Sequence, residues 1–274
     1  MPAYAPTSRP VDPTRTDRPR VVRPRRASAI QAAGHQEASA ALYRIKDRAF
    51  EEASRALTGG RRQTEYDLQQ LMVGWFQDEG LVSDAPPVVA VAANAGNPHY
   101  LPTADHNSLI VGDEVLLLDL WGKKAQPGAV FADITWVGAT SGQVPAEPAA
   151  AFAAIVKARD VAVRLVQERA VSGDDLRGWE VDRAARQVLE DGGYGGHVLH
   201  RTGHSLGENV HGNGTHLDDY ETHDERRLVP RTGFTVEPGL YFDSFGVRTE
   251  INVYRGERDA VVTGERQTDI LTLR

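Results

Sequence analysis

The chain has 274 residues, 41% of them apolar, no cysteine and a net charge of −7. That length and apolar fraction suit one large domain or two small ones with a sizeable core, and the acidic balance gives no electrostatic reason to expect nucleic acid or an anionic membrane as a partner. Without cysteine there is neither a disulfide nor a thiolate ligand, so any metal must be held by His and carboxylates, which suits Mn, Co, Fe or Zn.

The first segment, residues 1–35, is rich in Pro and Arg: Met1 to Ala27 hold seven Arg against Asp12 and Asp17, so this end carries +5 and the remainder −12. Such a stretch buries too little apolar surface to fold alone and reads as a disordered basic arm. It has no apolar region of the kind a secretory signal needs, and no run in the chain reaches membrane-spanning length, so a cytoplasmic protein is expected.

Residues 36–274 read as the folded part. From about Ala38 to Leu57, ALYRIKDRAFEEASRAL sets Leu42, Ile45, Phe50 and Ala53 near helical spacing, and TGG stops it. A second helix begins near Thr64 with Leu68, Leu71, Met72 and Phe76 on one face. Three β-branched or apolar runs follow, PPVVAVAAN, EVLLLDLW and AVFADITWVG. The order then repeats: a helix ended by Ser172-Gly173, a helix from about Asp175 to Glu190, and the strand-like GFTVEP, FGVRTEINVYR and DAVVTG. The repetition looks like a degenerate internal duplication, which implies a pseudo-twofold α+β domain with sheet in the middle, helices outside and a site at the junction.

Chemistry concentrates in a few places. The run GHVLHRTGHSLGENVH sets His200, His204 and His211 in glycine-rich backbone, a gathering of imidazoles that suggests a metal site. Asp119 closes the apolar run VLLLD and Asp133 sits inside VFADITWV, so both carboxylates fall on or near a buried sheet surface. Glu237 precedes Pro-Gly in FTVEPGLYF, and Glu250 lies two residues after Arg248 in FGVRTEINV, on the same strand face. Buried ionised carboxylates are costly unless something positive faces them, and a pair of divalent cations is the simplest such partner. His35, His216 and His223 read as exposed and His197 as structural; DDYETHDERRL reads as a solvated loop whose Glu221 and Asp224 pair locally with Arg226 or Arg227.

These residues carry a family likeness. From about Tyr43 to the C-terminus the chain resembles the pita-bread metallopeptidases, the family of methionine aminopeptidase, aminopeptidase P and prolidase, with creatinase as a metal-free cousin. In that family Asp, Asp, His, Glu and Glu hold two divalent metals in that order, which here corresponds to Asp119, Asp133, His204, Glu237 and Glu250. The spacing in HRTGHSLGENVH, VEPGLYF and GVRTE is similar to the prolidase and aminopeptidase P branch. The resemblance implies the pita-bread fold, a pseudo-twofold α/β repeat with a curved antiparallel sheet covered by helices, as the catalytic domain at 36–274. It also implies a dinuclear hydrolase, with manganese the first expectation, acting on a peptide or small amide at Xaa-Pro bonds. Glu237 would shuttle the proton with His211 as catalytic partner, and His99, His200, His211 and Arg248 would contact substrate; His106 competes with His99.

Two departures from the pattern stand out. Glycine usually follows two residues after the first Asp, whereas here Leu120-Trp121-Gly122 follows and KKAQPGAVF lengthens the next loop, which is expected to reshape the pocket mouth. Where that branch carries a folded N-terminal domain, only the basic arm is expected in this sequence. The alternatives are a hydrolase of a specialised non-peptide amide and a catalytically inactive binding module of the same fold. Dimerisation is common in folds of this kind, so a homodimer is an open expectation.

Overall fold

The computed structural model describes residues 29–274, with side chains from Gln31 onward. The basic arm therefore lies outside the described residues as far as position 28. Its expected boundary at residue 35 is corrected by helix α1, Ala29–Thr58, which begins earlier than both that boundary and the helix start expected at Ala38. The reason is local: residues 29–38 contain no Pro, and His35 is buried, its Nδ1–H donating to the Phe131 carbonyl at 2.8 Å while Thr263 Oγ1 donates to its Nε2 at 2.7 Å. Those bonds fix the first turns to the sheet, so the expectation of an exposed His35 fails. Buried Ala38, Leu42, Ile45, Ala49, Phe50 and Ala53 recur at helical spacing along the face that meets the sheet.

Helix α2, Glu65–Asp78, starts on a capping box: Thr64 Oγ1 accepts from Asp67 N at 3.0 Å and Asp67 Oδ2 accepts from Thr64 N at 2.9 Å. The strands β1 (Leu81–Val82), β2 (Val88–Val91), β3 (Val115–Lys124) and β4 (Ala132–Ala139) complete the first half. The second half repeats the order with α3 (Ala146–Ser172), α4 (Gly178–Asp191) and β5 (Ser205–Leu206), β6 (Thr232–Val236), β7 (Gly239–Tyr241), β8 (Gly246–Arg248), β9 (Ile251–Arg255) and β10 (Ala260–Val262). Gly173, at φ 78°, ends α3 in the left-handed conformation that glycine adopts at least cost. A last strand, β11 (Leu271–Thr272), joins β4 in parallel.

Strands β1, β3, β4 and β11 pair in that order with β2 on the edge of β3, β10, β9, β6 and β5 form a second sheet, and β7 and β8 pair separately. The halves meet where Glu250 N donates to the Thr135 carbonyl at 3.2 Å and Asp133 N donates to Asn252 Oδ1 at 2.9 Å. FGVRTEINVYR, read as one strand, is two: Thr249 N turns to the Pro238 carbonyl at 3.3 Å, which ends β8 and lets Glu250 cross to β4. With helices α1 and α2 on one half and α3 and α4 on the other, this is the pseudo-twofold pita-bread arrangement expected.

Period-two alternation divides the core. On β3 and β4, Leu116, Leu118, Leu120, Ile134 and Trp136 pack under α1 and α2, whereas Val115, Leu117, Val137 and Ala139 face the cluster built around α3 and α4. Asp119, Trp121, Asp133 and Thr135 are the odd-numbered continuation of that second face, cross-strand paired as Asp119 with Thr135 and Trp121 with Asp133. The same alternation on β6 and β9 sends Phe234, Val236, Ile251 and Val253 into the core. Thr235, Glu237, Glu250 and Asn252 take the opposite face and look back at the two aspartates. No helix among the described residues is long and apolar enough to cross a membrane.

Candidate metal centre

Carboxylates from both halves converge on one imidazole. His204 Nε2 lies 3.5 Å from Asp133 Oδ2, 3.5 Å from Glu237 Oε1 and 4.0 Å from Glu250 Oε1, and the ligand atoms of Asp133, His204 and Glu250 all fall within 4.8 Å of one another. The backbone places the ring: His204 N donates to Thr235 Oγ1 at 2.9 Å, and Thr235 N donates to the His204 carbonyl at 2.8 Å. Gly203 is required for that approach, because a Cβ there would stand 2.1 Å from the Thr235 carbonyl oxygen. Upstream, the buried Asp182 of α4 accepts from Thr202 N at 2.9 Å and Asp219 N at 2.7 Å, tying both ends of the histidine-bearing segment to the helix.

Asp119 sits across the cavity from His204, held by Arg248. The Arg248 guanidinium donates through Nη2 to Asp119 Oδ2, through Nε to Thr135 Oγ1 at 2.9 Å and through Nη1 to Tyr241 OH at 3.1 Å. Thr135 Oγ1 passes its own proton to Glu250 Oε2 at 2.7 Å. Tyr241 OH, already an acceptor, donates to His200 Nε2 at 2.7 Å, which assigns the His200 proton to Nδ1, 2.7 Å from the Arg201 carbonyl. Arg248 is buried and its donors are committed within the protein.

The electrostatics ask for a cation. Burial, reinforced by neighbouring carboxylates, pushes Asp133 and Glu250 well above the usual carboxylate range. Asp119 is raised by burial against the pull of Arg248. Burial opposes the Glu237 charge too, but His204, His200 and Arg248 outweigh it and hold that carboxyl below its ordinary value. His204 and His200 are lowered chiefly by burial, which works against their charged forms, while Glu237 pulls both the other way. His204 Nδ1 lies 3.3 Å from the Ser205 carbonyl, so a ring that keeps its proton there directs its Nε2 lone pair at three carboxylates, an arrangement that a positive charge between them would stabilise. Asp133 Oδ1 and Glu250 Oε1 are buried without a hydrogen-bond partner. Orphaned carboxylate oxygens and one imidazole lone pair are the donor set of a hard or borderline divalent ion, so the residues fit a metal.

A cavity of about 480 Å³ opens over these groups. Its walls carry His99, exposed on the loop after the 3-10 turn Ala92–Gly96, together with His200 and His211; the His211 ring lies 4.4 Å from that of His204. His106 is exposed and does not line the cavity. The 125–131 loop also stays outside it, since Phe131 N bonds the Gly207 carbonyl and the hairpin packs against α1; the residues that shape the mouth are Trp121 and Asp84. A second cavity of about 460 Å³, bordered by His35, Ser205, Tyr254 and Thr263, lies behind the histidine loop and holds none of the five metal-site residues.

Sequence reasoning missed Thr135, Tyr241, Asn252, Glu65 and Asp182. Thr135 lies two residues beyond Asp133 on β4, and Asn252 two residues beyond Glu250, which stands just before β9, so alternation could have found them. Glu65 could not be found that way: it reads as a polar helix start, yet it is fully buried and accepts from Val91 N at 2.7 Å, Asn94 Nδ2 at 3.0 Å and Ser108 N at 2.6 Å, bracing the segment that carries His99. The charged 218–227 stretch is also more ordered than a solvated loop. Asp224 is buried, paired with Arg226 and bonded by His216 N at 2.8 Å, as local pairing suggests, whereas Glu221 lines the cavity and pairs with Arg201 at 3.2 Å. His223 is exposed as expected, and His197 is structural, stacked on Phe242 at 4.0 Å with Nδ1–H donating to the Tyr241 carbonyl.

His216, expected to be exposed, is half-buried and accepts the Ser205 N–H through Nδ1 at 3.1 Å; burial, aided by Arg201 and Arg226, lowers it to about 4. A histidine depressed in the folded state contributes stability that is complete above its unfolded value near 6.5 and lost as pH falls toward 4. Substituting His216→Asn, which keeps an acceptor without the titration, is therefore expected to flatten the decline of the urea midpoint between pH 6.5 and 4. A decline unchanged from that of the unsubstituted chain would show that His216 does not contribute to it.

Comparison with known proteins gives a consistent result. The model of metallopeptidase family M24 matches residues 25–262. The Xaa-Pro dipeptidase of Lactobacillus helveticus is 30% identical over 166 residues, covering 60% of this chain and 40% of that protein. The probable dipeptidase PepE of Mycobacterium tuberculosis is 39% identical over 84 residues, covering 30% of this chain and 21% of that protein. Among solved structures, the dipeptidase PepE of Mycobacterium ulcerans superposes with a TM-score of 0.77 at 25% identity, over 90% of this chain and 61% of that one. A prolidase from Thermococcus sibiricus gives 0.75 at 23%, over 89% and 61%. The chain thus spans less than two thirds of the length of these relatives.

Proposed function

The chain belongs to metallopeptidase family M24, and on that premise we propose that its cavity is the active site of a dinuclear-metal-dependent hydrolase that cleaves Xaa-Pro bonds near peptide N-termini. The observation that carries this reading is the convergence of Asp133, His204, Glu237 and Glu250 from both halves, with two buried carboxylate oxygens left without partners. In this reading Asp119, Asp133, His204, Glu237 and Glu250 would together hold two cations, with manganese the first candidate. Bound there, the cations supply the charge that acidifies a water and polarises the scissile carbonyl.

The remaining work falls to the chain itself. Glu237, whose carboxyl His204, His200 and Arg248 hold below its ordinary value, takes a proton from the attacking water and returns it to the leaving nitrogen. His211, exposed on the cavity wall, donates to the carbonyl oxygen as charge develops there, and His99 borders the substrate on the opposite wall. Arg248 keeps Asp119 aimed into the site, and the Tyr241 bridge transmits that order to His200. The names that the matched relatives carry, Xaa-Pro dipeptidase and prolidase among them, support a peptide substrate, and a short N-terminal peptide suits a cavity of this size.

Metal analysis of the reconstituted chain tests the proposal, with about two equivalents of Mn, Co, Fe or Zn expected. A panel of Xaa-Pro dipeptides, Xaa-Pro-Xaa tripeptides and Met-Ala peptides should then be cleaved preferentially at Xaa-Pro. Failure to bind any divalent metal overturns the hydrolase reading; metal binding with silence across the panel overturns the peptide substrate and points to a non-peptide amide.

A further inference from the structure

We infer that Asp84 and Trp121 form a subsite for a protonated amine carried by the first residue of the substrate, an assignment that rests on the N-terminal peptidase reading above. Trp121 stands on the metal-site face of β3, opposite Asp133, and lines the cavity. Its indole Nε1–H donates to Asp84 Oδ1 at 2.6 Å, which straps the loop between β1 and β2 across the mouth. That bond uses one oxygen of a carboxylate that lines the cavity, and no hydrogen bond to the other is made among the described residues. The carboxylate is exposed, and among the described residues no lysine, arginine or histidine pairs with it. It is also near enough for its charge to act on Asp133 and His211, so it belongs to the site and not to the outer surface.

The aromatic ring points the same way. The chain has four tryptophans, and three of them carry a cation over the ring: Lys46 lies 3.7 Å from the centroid of Trp136, Arg48 4.3 Å from Trp75 and Arg183 4.7 Å from Trp179. Trp121, the one in the cavity, has none among the described residues. The two arginines of the cavity are engaged elsewhere, Arg201 with Glu221 and Asp218, Arg248 with Asp119. A carboxylate and an indole face together offer an ammonium both a charged hydrogen bond and a cation–π contact. The amine comes from one of two sources, the α-ammonium of a free N-terminus or the side-chain ammonium of a leading lysine.

Calorimetry on the full chain separates the sources with ligands that have no peptide bond to cleave. Lysinol carries both amines, norleucinol lacks the side-chain amine, and Nα-acetyl-lysinol lacks a charged α-amine. Lysinol is expected to bind about tenfold more tightly than whichever analogue lacks the recognised amine. The substitution Asp84→Asn keeps an acceptor for the Trp121 N–H while removing the charge, and should lower lysinol to the affinity of that analogue. Trp121→Phe, which frees the strap, should weaken the preference as well. Equal binding of the three ligands, or a preference that survives Asp84→Asn, overturns the subsite. So does a preference seen only with manganese added, since the amine would then be reading the metal. Peptide hydrolysis without an Asp84-dependent preference overturns the subsite alone, whereas the preference without hydrolysis overturns the peptidase reading alone.

Discussion

Glu237→Gln is expected to lower kcat for Xaa-Pro cleavage by about 10³-fold with little change in the fold. The substitution is nearly isosteric, and the 3.2 Å bond that Thr235 Oγ1 donates to Glu237 Oε1 survives it when the amide oxygen takes that position. The backbone is fixed independently, through the bond from Glu237 N to the Thr202 carbonyl at 2.7 Å and through Pro238 after it. What the amide lacks is the capacity to accept a proton at neutral pH. Glu237 is the member of the cluster whose carboxyl is held below its ordinary value, whereas Asp119, Asp133 and Glu250 are all raised, so of the four its surroundings most favour the ionised form that a base requires. Metal content and the circular dichroism spectrum are to be measured alongside kcat, because Glu237 also faces His204 Nε2. A variant that holds its metal and turns over at the unsubstituted rate removes Glu237 from the proton transfer.

The legibility of this site in the sequence follows from the range of the interactions that build it. Asp119 and Asp133 stand out because period-two alternation within single strands places them on a face whose other members are apolar. His204 and Glu237 stand out because glycine and proline fix the local backbone around them. Nothing within VFADITWV or VRTEINV, however, says that Thr135 relays between Arg248 and Glu250, which are 113 and 115 residues away. The break at Thr249 was equally hidden, since β-branched residues run through it and only the Pro238 and Thr135 carbonyls explain it. His35 misled for the same reason: its neighbours Gly34, Gln36 and Glu37 are those of a surface helix, and the groups that bury it come from residues 131 and 263. The departure from glycine at position 121 was legible, but its consequence at the mouth required the contact with Asp84.

The second large effect expected is an inversion of stability at Asp133. Without a cation, four buried or half-buried carboxylates share a site in which Arg248 pairs with Asp119 and Arg201 with Glu221, and Asp133 Oδ1 and Glu250 Oε1 have no donor. Replacing Asp133→Asn removes a carboxyl that burial and its neighbours make costly to ionise, and brings an N–H₂ into a cluster whose ligand atoms lie within 4.8 Å, where Glu250 Oε1 can accept it. The backbone bond from position 133 to Asn252 Oδ1 is untouched. In chelator the variant should therefore be more stable than the unsubstituted chain by roughly 1–3 kcal/mol, or about 3–8 °C in Tm for a domain of this size. Added manganese should reverse the ranking: it stabilises the unsubstituted chain by binding only the folded state, and gains little on a neutral amide. Thermal unfolding of both proteins with and without manganese measures all four corners of this cycle. If the unsubstituted chain is the more stable of the two in chelator, Asp133 is not the costly buried carboxyl the geometry makes it, and the case for a cation between the two halves falls with it.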